Sequence, residues 1–242
     1  TWRQNRPMTD VRVIEYAQLP TPEELLREMP QSEAHAESVR ESRRAVQAIL
    51  SGEDANRRLA IVGPCSVHDV EAVLEYARQL KSLADQVKDR YLVVMRLYFQ
   101  KPRTRTGWTG ILDDPGLDGS YDVCRGIRTC RDLMIRVTEI GLAIATELLG
   151  TTLEPQYISD YITWGCIGAR TCESQIHRHL ASGVSYPVGF KNSSDGSIKK
   201  ALDACVCAGH PRVFLGIDPQ GRPCVVKTRG NPDTCIVLRG SY

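Results

Sequence analysis

Val93-Val94-Met95-Arg96-Leu97-Tyr98-Phe99-Gln100-Lys101-Pro102-Arg103-Thr104 decides how this chain is read. The short apolar run from Tyr91 to Met95 reads as a buried strand. It ends in Arg96 and opens into a loop carrying Lys101, Arg103 and Arg105. Between Tyr91 and Leu112 there are four cations and no carboxylate. Pro102 stiffens the backbone between Lys101 and Arg103, so the two cations are held in place. A strand that delivers fixed cations from its C-terminal end is how an α/β barrel builds an anion site. A solvated basic loop fits the same residues, and this stretch alone does not choose between them.

Working outward, the same unit recurs. Leu59 to Val62 reads as a strand ending in Gly63-Pro64-Cys65-Ser66, followed by a helix over Asp69 to Leu83. After the quoted loop come a helix over Val123 to Ile140 and a strand over Leu142 to Thr146 that ends at Glu147. Pro155 to Ile162 is a short helix, and Cys166 to Ala169 a strand ending at Arg170. A helix over Glu173 to Ser182, a strand over Pro187 to Phe190 ending at Lys191, and a helix over Ser197 to Ala208 continue the series. Arg212 to Ile217 reads as the sixth strand. Val225 to Thr228 and Cys235 to Leu238 look like a hairpin around Gly230-Asn231-Pro232-Asp233. Before the series, Ser32 caps an amphipathic helix carrying Val39, Val46, Ile49 and Leu50 and stopped by Gly52. Residues 1–31, punctuated by Pro7, Pro20, Pro22 and Pro30, read as an arm outside the core with one short strand at Val11 to Tyr16. The domain is then 32–242.

Short apolar strands alternating with helices imply a parallel sheet with right-handed crossovers. A β/α barrel and an open doubly wound sheet both fit. No Gly-rich dinucleotide fingerprint follows the first strand, which weighs against the second. A full barrel needs eight units, and six are counted here.

The totals set limits on function. A length of 242 residues suits one large α/β domain or two small ones. Net charge is only +2, so the chain as a whole is no nucleic-acid binder and positive charge must be local to matter. No apolar run approaches the ~20 residues of a membrane span, and the N-terminus shows no signal-peptide pattern. Nine cysteines without a regular framework suit free thiols and a cytoplasmic setting.

The strand ends carry Cys65, Arg96 with Lys101, Glu147, Arg170, Lys191 and, after the expected hairpin, Arg239. In a barrel these converge on one face. Buried cations are costly without a counter-charge, so the site should take a ligand with more than one negative group, of which phosphate esters are the obvious class. Cys65 could serve as a soft metal ligand or as a small buried hydrophobe. Cys205 and Cys207 read as helix-packing residues, and Cys224 and Cys235 could face each other as free thiols. His177 and His179 are two apart on a helix and do not share a face. No Ser/His/Asp or Cys/His triad is visible.

The longer matching stretches are Gly63-Pro64-Cys65-Ser66, Met95-Arg96 through Lys101-Pro102-Arg103-Thr104 and Gly107-Trp108, and Asp118-Gly119-Ser120. Gln156-Tyr157-Ile158-Ser159-Asp160, Trp164-Gly165, Ile167 to Thr171 and Glu173-Ser174-Gln175 follow. Pro187 to Asn192, Asp195-Gly196 and Leu238-Arg239-Gly240 complete the set. Through these the chain resembles the microbial class I 3-deoxy-D-arabino-heptulosonate 7-phosphate (DAHP) synthases.

The resemblance implies a TIM (β/α)8 barrel with an N-terminal extension, here the first six units plus a β-hairpin. It implies condensation of phosphoenolpyruvate with erythrose 4-phosphate, at the head of the shikimate pathway, in a metal-dependent transferase that forms a homo-oligomer. Arg96, Lys101, Arg170 and Lys191 then correspond to catalytic positions. With Glu147, Arg239 and the backbone at Ala169 they hold phosphoenolpyruvate, while Pro102, Arg103 and Thr104 contact erythrose 4-phosphate. Cys65 becomes a ligand of a divalent metal (Mn, Fe, Co or Zn). Feedback inhibition by an aromatic amino acid is implied at Asp10, Pro155, Gln156, Val184, Ser185 and Phe214. The chain departs from the pattern at Gln100, Gly150 and Ser241. The other metal ligands, a His, a Glu and an Asp, belong to segments with no counterpart in residues 1–242. A second reading follows from that: a non-catalytic homologue that binds a phosphorylated ligand or an aromatic amino acid and acts through association.

Overall fold

The computed structural model describes residues 12–152 and 154–240. Its elements run α1 (Pro22–Glu28), α2 (Glu33–Ser51), β1 (Arg58–Val62), α3 (Val70–Val87), β2 (Tyr91–Arg96), α4 (Val123–Ile140), β3 (Ala143–Glu147) and α5 (Glu154–Ile158). They continue with β4 (Ile162–Ile167), α6 (Gln175–Ala181), β5 (Val188–Lys191), α7 (Ile198–Ala208), β6 (Arg212–Ile217), β7 (Pro223–Thr228) and β8 (Thr234–Val237). Six strands form one parallel sheet in the order β1-β2-β3-β4-β5-β8, a half-barrel, and β6 pairs antiparallel with β7 alone.

Side-chain parity sorts each strand between two cores, because neighbouring residues point to opposite faces. Val93, Met95, Ile144, Ile162 and Ile167 join the larger core under the helices, with Leu133, Met134 and Val137 of α4 buried against them. Each such side chain contributes ~1.5–3 kcal/mol by leaving water. Leu92, Val94, Ala143, Ala145, Trp164, Cys166, Cys235 and Val237 form the inner face. Gly189 has no side chain there for a reason: a Cβ would stand 2.2 Å from the Trp164 ring.

α2 closes the N-terminal ends of the strands. Ser32 caps it by accepting from the His35 amide, and Gly52 ends it in the left-handed region at φ 85°. Val46 is fully buried within the inner core. The Ser42 and Thr163 hydroxyls bond at 2.7 Å, Arg43 donates to the Ile162 carbonyl at 2.8 Å, and Gln47 donates to Asp233 at 2.6 Å. With that end filled, the opposite end of the sheet is left for a site.

Several expectations change. The sixth parallel strand is Thr234–Val237, not Arg212–Ile217, and the hairpin is β6 with β7 rather than 225–228 with 235–238. Asn231 explains the second point. Its buried amide donates to the Ala181 and Tyr186 carbonyls, which carries the chain away from β7 and onto the sheet edge. β4 starts at Ile162, earlier than Cys166. The expected arm also holds a helix: Thr21 and Glu24 form a capping box for α1, and Leu25 is fully buried in the larger core. Residues 12–16 form no strand, and Val11 lies outside the described residues.

Arg131 fastens this region. It is buried, donates to the Met29 carbonyl at 2.6 Å and to both Asp160 oxygens at 3.0 and 2.8 Å, and lies over the Tyr161 ring.

Candidate active site

The inward parity of the strands continues past their C-terminal ends. Residues 92, 94 and 96, then 143, 145 and 147, then 189 and 191, then 235, 237 and 239 share one face, so Arg96, Glu147, Lys191 and Arg239 are placed there by the strands themselves. A cavity of about 280 Å³ lies at this end, lined by Cys65, Lys101, Pro102, Glu147, Ala169, Arg170, Lys191 and Arg239, with Gln100, Leu149, Gly168, Thr171 and Ser194 around them. Four of the six expected cations and Glu147 therefore meet in one cavity.

Their supports are specific. Lys101 is positioned by its amide, which donates to the Thr109 carbonyl at 2.7 Å, and its ammonium donates to the Cys65 sulfur at 3.0 Å. Arg170 reaches across to the β2 loop, donating to the Pro102 carbonyl at 3.3 Å and to the Thr104 hydroxyl at 3.0 Å. Lys191 stands 3.8 Å from Glu147, whose side chain is only 8% exposed. Asn192 brackets Arg239, accepting from its amide at 2.7 Å and donating to its carbonyl at 3.2 Å. Gly168 keeps room for Glu147, since a Cβ there would come within 2.5 Å of the carboxylate.

Two of the expected residues are turned elsewhere. The Arg96 guanidinium donates to the Gly63 carbonyl, at 3.2 Å from Nε, and does not line the cavity. That approach requires Gly63: φ is 143°, and a Cβ would meet the Arg96 backbone at 3.0 Å. Arg103 is exposed and donates to the Trp108 carbonyl at 2.6 Å.

Cys65 is exposed. Among the described residues no three His, Cys, Asp or Glu side chains gather to hold a metal ion. A lone thiol hydrogen-bonded to an ammonium does not make a metal centre.

Tyr98 and Cys166 escaped the sequence reading. Both are buried beneath the site. Burial, with Cys166 and Glu147 nearby, pushes the Tyr98 phenol far up, and burial pushes the Cys166 thiol up to about 12, so both stay protonated. Tyr98 could have been found from parity alone, since it follows Arg96 by two.

A second cavity, about 480 Å³, gathers Pro155, Gln156, Val184, Ser185 and Phe214, five of the six residues expected for regulation. Asp10, the sixth, lies outside the described residues. The ribbon of β6 and β7 forms one wall and adds Lys227, with Arg229 just beyond it. Phe214 stacks on His179 with ring centres 5.4 Å apart. His177, on the same helix, bonds the Ser174 hydroxyl at 2.8 Å and the Leu149 carbonyl at 3.2 Å. Burial lowers its pKa.

Comparison with known proteins shows what the chain is similar to. The Phe-sensitive phospho-2-dehydro-3-deoxyheptonate aldolase of Escherichia coli (strain K12) is 46% identical over 231 residues, which is 96% of this chain and 65% of that protein. The Tyr-sensitive protein of the same organism is 44% identical over 237 residues, covering 98% and 66%. The Trp-sensitive protein of Enterobacter agglomerans is 48% identical over 231 residues, covering 96% and 66%. The solved structure of phospho-2-dehydro-3-deoxyheptonate aldolase from Francisella tularensis SCHU S4 superposes with a TM-score of 0.92 at 42% identity, over 95% of this chain and 67% of that one. The chain thus spans less than two thirds of the length of the first two relatives. The DAHP synthetase I family model matches residues 31–242. The chain belongs to the DAHP synthetase I family.

Proposed function

We propose that this chain carries the substrate site of a DAHP synthase. The reaction joins phosphoenolpyruvate, erythrose 4-phosphate and water into 3-deoxy-D-arabino-heptulosonate 7-phosphate and inorganic phosphate. The observation that carries the reading is the cavity in which Lys101, Arg170, Lys191 and Arg239 converge from four different segments around one carboxylate. Phosphoenolpyruvate brings a carboxylate and a phosphate, and a set of fixed cations answers both. Arg170, which already reaches Pro102 and Thr104, ties that set to the loop where the phosphate of erythrose 4-phosphate would lie. Holding C3 of the enol against the aldehyde carbon lowers the barrier by proximity. The cations offset negative charge on both substrates, which otherwise repel each other. For a divalent metal of the Mn, Fe, Co or Zn class, the described residues offer Cys65 as one ligand and no group of three.

Regulation follows from the second cavity. An aromatic amino acid there would place its ring against Phe214 and Val184 and its carboxylate toward Lys227 or Arg229. The relatives named Phe-, Tyr- and Trp-sensitive support this class of effector.

The experiment is calorimetric titration of the protein with phosphoenolpyruvate, followed by its consumption with and without erythrose 4-phosphate in the presence of added divalent metal. Binding that is lost in Arg170→Ala, and consumption that depends on erythrose 4-phosphate with equal phosphate release, are expected. Absence of phosphoenolpyruvate binding at millimolar ligand would overturn the reading.

A further inference from the structure

Arg96 and Lys191 belong to different strands and carry like charges, yet one side chain lies against both. The Arg96 guanidinium carbon is 5.3 Å from the centre of the Tyr98 ring, and the Lys191 ammonium is 6.0 Å from it. Both distances lie within the reach of a cation over an aromatic face. The ring is held firmly. It is 6% exposed, the Cys166 thiol on β4 lies close to it, and its own carbonyl accepts from the Val67 amide at 3.0 Å.

The charge balance gives this contact a purpose. A site built for an anion must hold its cations in place before the anion arrives. A carboxylate does so at a cost to affinity, since the substrate must compete with it. Glu147 already plays that part for Lys191. An aromatic face carries only partial negative charge and is not displaced by a ligand, so it can orient a cation without neutralising it.

We infer that Tyr98 is a positioning residue, an aromatic platform that sets where the Lys191 ammonium stands for the substrate and keeps the Arg96 guanidinium, turned to the Gly63 carbonyl, beside it. This rests on the phosphoenolpyruvate reading above for the identity of the ligand, though not for the geometry.

The test varies the π density of the ring at nearly constant shape. Tyr98→Phe is the reference, and phenylalanines bearing one, two and three fluorines are placed at position 98 in the whole chain. Phosphoenolpyruvate and inorganic phosphate are titrated into each by calorimetry. Tyr98→Phe should bind within twofold of the parent, and affinity should fall stepwise with each fluorine to about tenfold in total. Tyr98→Leu should lose at least fivefold. A packing role predicts a flat fluorine series, and a flat series overturns the inference. Side-chain NMR of the Arg96 Nε–H and the Lys191 Cε supplies a readout that needs no ligand. Ring-current shifts present in the parent and in Tyr98→Phe, and absent in Tyr98→Leu, support the platform. Unshifted resonances in the folded parent overturn it. Should the parent show these shifts and bind neither probe, the platform stands and the substrate reading falls.

Discussion

Replacing Glu147 by Gln tests the charge balance of the cavity with little change of shape. The carboxylate lies 3.8 Å from the Lys191 ammonium, with the two side chains 8% and 25% exposed. At that separation the attraction is ~4 kcal/mol for a dielectric of 20 and ~1 kcal/mol in bulk water. The cavity opens to solvent, which places the working figure near the lower end, ~1–2 kcal/mol. An incoming anion competes with Glu147 for Lys191, so Glu147→Gln should bind phosphoenolpyruvate ~5- to 30-fold more tightly. The free protein should be destabilised at the same time, because a part-buried ammonium loses its counter-charge. Calorimetric titration and thermal unfolding, each with and without inorganic phosphate, measure both effects. Phosphate should raise the unfolding temperature of the variant more than that of the parent. Unchanged or weaker binding by Glu147→Gln would refute the competition and make Glu147 a direct support of the substrate.

Lys101→Ala should lower kcat/KM for the condensation by at least a hundredfold, ~3 kcal/mol of lost transition-state stabilisation, and a fall of less than tenfold in steady-state kinetics would remove Lys101 from the site. Arg131→Ala should cost ~3–5 kcal/mol in urea unfolding, since it strands Asp160 and frees the Met29 carbonyl; a loss under 1 kcal/mol would contradict the fastening role. Phe214→Ser should abolish binding of Phe, Tyr and Trp in titrations while leaving phosphoenolpyruvate affinity within twofold, and retained aromatic binding would move the effector elsewhere. His177 has its folded pKa depressed by burial, so the unfolded chain takes up its proton first as pH falls. Stability from this residue is whole above the unfolded value of ~6.5 and is lost as pH falls through it toward the lower folded value; His177→Asn should flatten that part of the pH–stability curve.

The residues that line the cavity were more legible in the sequence than the bounds of the strands around them. A cation or carboxylate immediately after a short apolar run marks a strand end, which points to Glu147, Arg170, Lys191 and Arg239, and Lys101 stands out in the basic loop after Arg96. Arg96 was reached too, but only the structure shows its guanidinium held by the Gly63 carbonyl. The strands were harder to read where a local rule competed with a distant partner. Gly230 to Asp233 has the composition of a hairpin turn, yet Asn231 spends its amide on two carbonyls from residues 181 and 186, a destination no local pattern records. Arg212 to Ile217 is apolar enough for a central strand, but Val213 and Leu215 face outward, as suits a two-stranded ribbon. Gly165 hid the beginning of β4 because it interrupts the apolar run. Its reason lies across the core, where a Cβ would crowd the Tyr186 ring at 2.8 Å. Leu25 was missed because a Pro-rich stretch obscures a single anchoring turn.

The ribbon between α7 and β8 bears on the order in which the molecule assembles. β4 meets β5 at Gly165 and Val188, whereas β5 meets β8 at Val188 and Thr234, twice as far along the chain. Doubling a loop adds ~0.6 kcal/mol to the entropy of closing it. β6 and β7 are joined only through residues 218–222, and such a pair closes in ~1–10 μs, well before distant parallel strands find each other. Once closed, it takes 212–228 out of the slack that β8 must gather in. Changes in that turn should therefore slow refolding more than they weaken the native state. Arg239 follows β8 directly, so it joins the other cations only when this last parallel strand docks.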